Sequence, residues 1–291
     1  GVNTAFTTGS FTLTSVENIK FATDIVVEAA LVNSKTLTFK GGTGNSDNIT
    51  VGADAAAFTL DLSKITLDTA VEDLTFDASS QTSAMTITGT NGADLVTLSG
   101  LADVVSTGAG KDVITMDTTG GGATVDAGAG NDTIVYIGNT TATDKISITG
   151  GAGSDTYDFS DITFATDVNL FNILDFTGGA NGDVLKLSVT DVSGTVYDAA
   201  DVVTVVTAAV ATGLGANAGA DGTGTAYVIV DTRANIAAAD LEDTVDGMIS
   251  VESDTGDVNY HATDVLSGQA IIANIGTDFG TLTADNFTFI A

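Results

Sequence analysis

Apolar residues recur in short alternating runs along almost the whole chain. Phe11, Leu13, Val16, Ile19 and Phe21 alternate with polar positions, followed by Ile25-Val26-Val27 and by Leu37 and Phe39 before Lys40. Phe58, Leu60 and Leu62, then Ile65 and Leu67, Leu74 and Phe76, and Met85 and Ile87 continue the rhythm. A period of two, bounded by Gly, Asn, Asp and Ser, predicts short half-buried strands. Residues 227–231, 248–251 and 270–273 read as further strands, and 254–260 as a hairpin turning at Thr255-Gly256. One stretch breaks the rhythm. The Ala- and Val-rich residues 199–212 predict a short helix ended by Gly213 and Gly215.

Between Gly89 and Asp158 a second period is superimposed. Gly150-Gly151-Ala152-Gly153-Ser154-Asp155-Thr156-Tyr157-Asp158 has the form Gly-Gly-x-Gly-x-Asp-x-apolar-x. The same frame begins at Ala127, with Gly128, Gly130 and Asp132, and at Thr107, with Gly108, Gly110 and Asp112. It begins again at Gly89, with Gly92 and Asp94, and a degenerate copy over 98–106 keeps Asp103 and Val105. Two nine-residue units make one coil, so residues such as Asp94 and Asp112 stack, with strands about 4.8 Å apart. The apolar eighth position points inward. Glycines turn the chain through positive φ and leave carbonyls uncovered. A Ca²⁺ ion takes about 6–8 oxygens at about 2.3–2.6 Å. Between two stacked turns it meets a carboxylate from each, and glycine carbonyls complete the shell.

The candidates are not equivalent. Asp103 sits in a turn carrying Ser99, Gly100 and Leu101 where the frame wants Gly-x-Gly, so it is expected to bind least. Asp126 precedes its repeat and either adds a carboxylate to that turn or faces solvent. Residues 41–47 read as a similar turn with one extra residue before Asp47. The spacing also drifts after Asp112, which places insertions near 116–121 and 138–143.

Charge sharpens the reading. The 291 residues include 38 Asp and Glu against 8 Lys and Arg, a formal net charge of −30. Such a charge opposes compaction by self-repulsion and excludes nucleic acid as a partner. Yet 43% of residues are hydrophobic, unlike a disordered acidic tail. Divalent cations reconcile the two facts. There is no cysteine, hence no disulfide and no thiolate metal site. No apolar run approaches the length of a membrane span. The one histidine, His261, has no His-Glu-x-x-His partner and reads as a surface residue; no Gly-x-Ser-x-Gly elbow occurs. No catalytic site is expected, and calcium turns explain the aspartates better than a carboxylate dyad does.

The in-frame nonapeptides resemble the calcium-binding repeat of the RTX (repeats-in-toxin) family. Residues 15–21 loosely resemble strand-entry phrases of RTX adhesins and surface-layer proteins. The phrase Ile173-Leu174-Asp175-Phe176 with Gly182-Asp183-Val184-Leu185-Lys186-Leu187 resembles the segment that caps RTX rolls in proteins exported by type I secretion. Asp175 and Asp183 become candidate last ligands, or ordinary turn acids. Residues 282–291 resemble an uncleaved C-terminal export signal and equally read as a final apolar edge strand.

The resemblance implies an all-β fold: a parallel β-roll or β-solenoid with stacked Ca²⁺-binding turns, capped by a C-terminal β-rich domain. It divides the chain into irregular solenoid coils (1–88), the calcium-binding roll (89–160) and a cap with the secretion region (161–291). The function implied is structural: a calcium-dependent surface-layer protein on a Gram-negative bacterium, exported by type I machinery and self-assembling into a lattice. The start at Gly1 suggests a piece of a longer polypeptide, whose upstream part would contact outer-membrane lipopolysaccharide. The alternatives are the tail of a large RTX adhesin and the secretion module of an enzyme whose catalytic domain lies upstream.

Overall fold

A computed structural model describes residues 4–6, 18–20, 25–40, 47–52, 59–67, 71–117, 121–137, 145–161, 171–187, 202–206, 225–231, 235, 248–261 and 269–289. The alternating runs form strands throughout. The chain opens with β1 (Thr4–Phe6), β2 (Asn18–Lys20) and β3 (Ile25–Glu28), the one-turn helix α1 (Ala29–Val32), then β4 (Leu37–Lys40) and β5 (Asp47–Gly52). β6 (Thr59–Asp61), β7 (Ile65–Leu67), β8 (Val71–Asp77) and β9 (Thr86–Thr88) follow. The glycine-rich repeats supply β10 (Asp94–Thr97), β11 (Val104–Ser106), β12 (Val113–Asp117), β13 (Thr124–Asp126), β14 (Thr133–Ile137), β15 (Ile146–Thr149) and β16 (Thr156–Phe159). Then come β17 (Phe171–Ile173), β18 (Val184–Leu187), β19 (Val202–Val206), β20 (Thr225–Asp231) and β21 (Met248–Glu252). β22 (Asp257–His261), β23 (Gln269–Asn274) and β24 (Phe287–Phe289) close the chain.

These strands wind into a parallel β-solenoid. One sheet runs β1-β3-β5-β8-β10-β12-β14-β16-β18-β24. A second runs β6-β9-β11-β13-β15-β17 and continues through β23, β22, β21, β20 and β19. A third, β2-β4-β7, belongs to the early coils alone. Each coil of the repeat region therefore has two faces, and the strand-to-strand alternation sends every second side chain inward. Phe76, Val96, Ile114, Ile134, Tyr157, Leu185 and Phe287 stack as one inward row. Ile87, Val105, Val125, Ile148 and Ile173 form the facing row. All are buried. Each such side chain contributes about 1.5–3 kcal/mol of burial, so the core is a column extended coil by coil, as in other solenoids.

The two edges of the roll obey different rules. From the inward residue of the second sheet to the next ladder aspartate is seven positions in four successive coils, Ile87 to Asp94, Val105 to Asp112, Val125 to Asp132 and Ile148 to Asp155, and ten in the last, Ile173 to Asp183. On the other edge the corresponding spans grow: Asp94 to Val105 is 11, Asp112 to Val125 13, Asp132 to Ile148 16 and Asp155 to Ile173 18. The extra residues after Asp112 and Asp132 thus enter between β12 and β13 and between β14 and β15, where the spacing drift placed them.

Two features differ from the sequence reading. The predicted helix over 199–212 contains β19, which pairs in parallel with β20. Val202-Val203-Thr204-Val205-Val206 is β-branched throughout, and that stiffness favours a strand over a helix. The rest of that segment lies outside the described residues. The second sheet also leaves the parallel pattern near its end: β21, β22 and β23 pair antiparallel, around the expected Thr255-Gly256 turn, where Gly256 takes φ +80°. β24 pairs with β18 as the last strand of the first sheet, in line with the edge-strand reading of the C-terminal segment.

Candidate cation site on the glycine edge

The glycine edge carries the ladder aspartates one above another. Asp112 Oδ1 accepts the Asp94 N–H (2.8 Å), Asp132 Oδ1 the Asp112 N–H (2.8 Å), Asp155 Oδ1 the Asp132 N–H (2.9 Å) and Asp183 Oδ1 the Asp155 N–H (2.9 Å). Each carboxylate thus caps the amide of the aspartate one coil before it. All five side chains are buried.

The second oxygen of each carboxylate separates them into two kinds. Asp94 Oδ2 accepts the Thr90 N–H at 2.7 Å, and the Thr90 hydroxyl lies 3.1 Å from Asp94 Oδ1. Asp183 Oδ2 accepts the Thr177 N–H at 2.7 Å. By contrast, Asp112 Oδ2, Asp132 Oδ2 and Asp155 Oδ2 are buried with no hydrogen-bond partner. The Thr107 hydroxyl lies near Asp112, but its one proton goes to the Ala127 carbonyl at 2.9 Å. A buried polar atom left unpaired costs about 1–3 kcal/mol, and more when charged.

The glycines explain how this arrangement is reached. Gly128 and Gly130 take φ of +94° and +150°, conformations that side chains disfavour. A β-carbon on Gly130 would collide with the Gly110 carbonyl, and one on Gly128 with the Gly108 carbonyl. The pairs Gly108 and Gly110, and Gly151 and Gly153, repeat the same two positive angles. The turns therefore stack at backbone contact. Ala109, Ala129 and Ala152 bridge in register, through Ala129 N–H to Gly108 O (2.8 Å) and Ala152 N–H to Gly128 O (2.7 Å).

Electrostatics follows from the burial. Desolvation pushes Asp132 up to about 6; the Asp112 N–H relieves it in part, and the carboxylates of Asp112 and Asp155 add repulsion. Burial likewise raises Asp112, Asp155 and Asp183, each relieved by the amide it caps. A stack of buried carboxylates is thus held at a cost, with three of its oxygens unpaired. Oxygen donors without nitrogen or sulfur suit a hard divalent cation, and the donor set fits Ca²⁺. Among the described residues no three acidic, His or Cys side chains converge on one point. A cation here would draw most of its shell from backbone carbonyls and solvent.

The remaining candidates fall elsewhere. Asp103 lies on the opposite edge with both oxygens engaged: Oδ1 by the Met85 N–H (2.8 Å), Oδ2 by the Ser99 N–H (3.1 Å) and hydroxyl (2.8 Å). Asp126 is exposed on β13 and faces solvent. Gly92 lacks the positive φ of the later turns. Asp175 accepts the N–H groups of Gly150 (3.0 Å) and Gly151 (2.7 Å), so it caps the last glycine turn. Asp47 begins β5, opposite Val71; its side chain and the turn before it lie outside the described residues, as does the His261 side chain. The sequence reading missed Thr90 and Thr177, though a threonine in the second place of the Gly89 frame was a readable signal. It also missed Asn286, whose Oδ1 accepts the Gly179 N–H (2.9 Å) while its Nδ2 donates to the Asp183 carbonyl (2.7 Å). The Thr283-x-x-Asn286 spacing marks a local cap, with the Thr283 N–H donating to Asn286 Oδ1 at 2.9 Å, but the partners Gly179 and Asp183 lie more than a hundred positions away. No family model, curated protein or solved structure matches the chain.

Proposed function

We propose that the chain is a calcium-dependent β-roll of RTX type, belonging to a surface-layer protein exported by a type I system. The observation that carries the calcium reading is the row of three buried, unpartnered oxygens, Asp112 Oδ2, Asp132 Oδ2 and Asp155 Oδ2. Asp112, Asp132 and Asp155 hold the ions, and the positive-φ glycines bring carbonyls to the same turns. Bound Ca²⁺ supplies the positive charge that lets the stacked carboxylates stay ionised and buried. Where free Ca²⁺ is scarce, the carboxylates repel and the roll is weakened, which suits passage through an exporter. Outside the cell, Ca²⁺ near about 10⁻⁴–10⁻³ M matches the range of extracellular calcium modules. The surface-layer assignment rests on the resemblance of the repeats and of the C-terminal segments, with lattice self-association as the structural role.

The test is circular dichroism during calcium titration, beside a sample in EGTA. A cooperative gain of β signal with Ca²⁺ supports the roll. A β spectrum indifferent to chelator overturns it. Electron microscopy of the calcium-loaded protein then decides the assembly: ordered sheets support the surface-layer reading, and dispersed particles at every calcium level reject it.

A further inference from the structure

Tyr157 occupies the inward place that Ile114 and Ile134 hold in the two preceding coils. Its side chain is fully buried, at 0% exposure. In every other coil of the row an apolar side chain fills that place without a polar atom, yet here a hydroxyl enters the core and finds no hydrogen-bond partner. A β-carbon on Gly150 would collide with both the Tyr157 hydroxyl and Asp155 Oδ2. Both oxygens therefore pack against the bare α-carbon of Gly150 and lie close to each other. Asp155 Oδ2 is itself buried and unpartnered. Asp175 anchors the backbone beside them through Gly150 and Gly151. A tyrosine hydroxyl is neutral near pH 7, so Tyr157 offers an oxygen without charge. The hydroxyl does not donate to the neighbouring carboxylate, and two buried oxygens left unpaired side by side are costly; a cation bound by both offsets that cost.

We propose that the Asp155 turn holds its divalent cation with one additional neutral oxygen, the Tyr157 hydroxyl, which the Asp112 and Asp132 turns lack. This rests on the cation reading above. The three sites are then unequal. The Asp155 site is the tightest and fills first, beside the C-terminal cap of the roll, and the other two follow along the stack.

Terbium(III), a calcium-sized ion whose emission is excited through a neighbouring tyrosine, tests this on the whole chain, which has no tryptophan. In the unsubstituted protein, tyrosine-sensitised emission should saturate at one ion per chain, while total uptake, measured by dialysis, goes on to about three. Tyr157→Phe keeps the ring, which packs 5.9 Å from Phe176, and removes only the oxygen. It should abolish most of the sensitised emission. In a calcium titration by calorimetry it should weaken one site about tenfold and leave the others unchanged. Emission retained in Tyr157→Phe overturns the proposal, as does a calcium isotherm identical to that of the unsubstituted protein. If Tyr157→Phe does not fold, saturation of sensitised emission at one ion supports the proposal, and saturation only with total uptake rejects it. Absence of both Tb³⁺ and Ca²⁺ uptake by the unsubstituted protein removes the cation reading, and this inference with it.

Discussion

The Asp112, Asp132 and Asp155 turns and the Asp94 and Asp183 turns on either side share one carboxylate-to-amide ladder, yet they treat the second oxygen in opposite ways. In the flanking turns Thr90 and Thr177 donate to it. In the inner turns nothing does. Thr90 is β-branched and does not take the positive φ of Gly108, Gly128 and Gly151, and its amide and hydroxyl turn onto the carboxylate instead. The comparison teaches that the same ladder position is structural when its own turn supplies a donor. It is left unpaired where two positive-φ glycines stand in place of that donor.

Chelation should break the symmetry most. Each ion bound at a hundred times its Kd stabilises the folded state by about 2.7 kcal/mol. Urea unfolding followed by circular dichroism should therefore show a large drop in midpoint in EGTA; equal midpoints would mean that the inner turns are as self-sufficient as the flanking ones. Gly130→Ala comes next. It forces a side chain into φ +150° and against the Gly110 carbonyl, and should cost about 2–4 kcal/mol in the same assay. Gly92→Ala in the flanking turn meets only the tip of Leu67, at 3.2 Å, and should cost about 1 kcal/mol or less.

Smaller effects distinguish the aspartates by sign. With calcium, Asp112→Ala and Asp132→Ala should weaken folding more than Asp103→Ala. In EGTA, Asp132→Asn should be neutral or stabilising, because it removes a buried unpaired charge. Asp103→Asn should cost about 1–3 kcal/mol with or without calcium, since both its oxygens cap protein donors. The smallest effect is pH. Asp132 is raised in the folded state to about 6, so between about pH 4 and 6 the folded chain binds more protons than the unfolded one. Stability of the chelated protein should fall as pH rises through that window. Calcium affinity should show the reverse trend and weaken as pH falls below about 6. A chelated protein that gains stability over the same rise in pH would show that the inner carboxylates are not held unpaired.

Much of this was legible in the sequence because it is local. The nine-residue frame placed Asp94, Asp112, Asp132 and Asp155 on one edge, and the alternation placed Val105, Ile114 and Ile134 inside. What the frame does not encode is where each carboxylate finds its second partner. Asp175 resembles a last ligand by its phrase, but it caps Gly150 and Gly151 because β17 ends just before it. The strand β19 was missed because alanine-rich flanks outweighed the valines in a helical reading. The third sheet, β2-β4-β7, joins residues some twenty to thirty positions apart with no shared motif.

The unequal edges have a consequence for how such a chain can vary. The seven-residue side is constant through four coils, and its one longer span, Ile173 to Asp183, keeps the ladder contact in a turn closed by Thr177 and Asn286; lengthening it elsewhere, without such partners, should slide a carboxylate out of line and disturb two coils at once. Lengthening the other side leaves the column and the ladder untouched, and the chain already does so three times in succession. Tags, epitopes or protease sites intended to leave folding intact belong between β12 and β13 or between β14 and β15. In descendants of this sequence, drift in length should collect mostly on that side, so the molecule would keep one face of nearly constant length and one that is free to diverge.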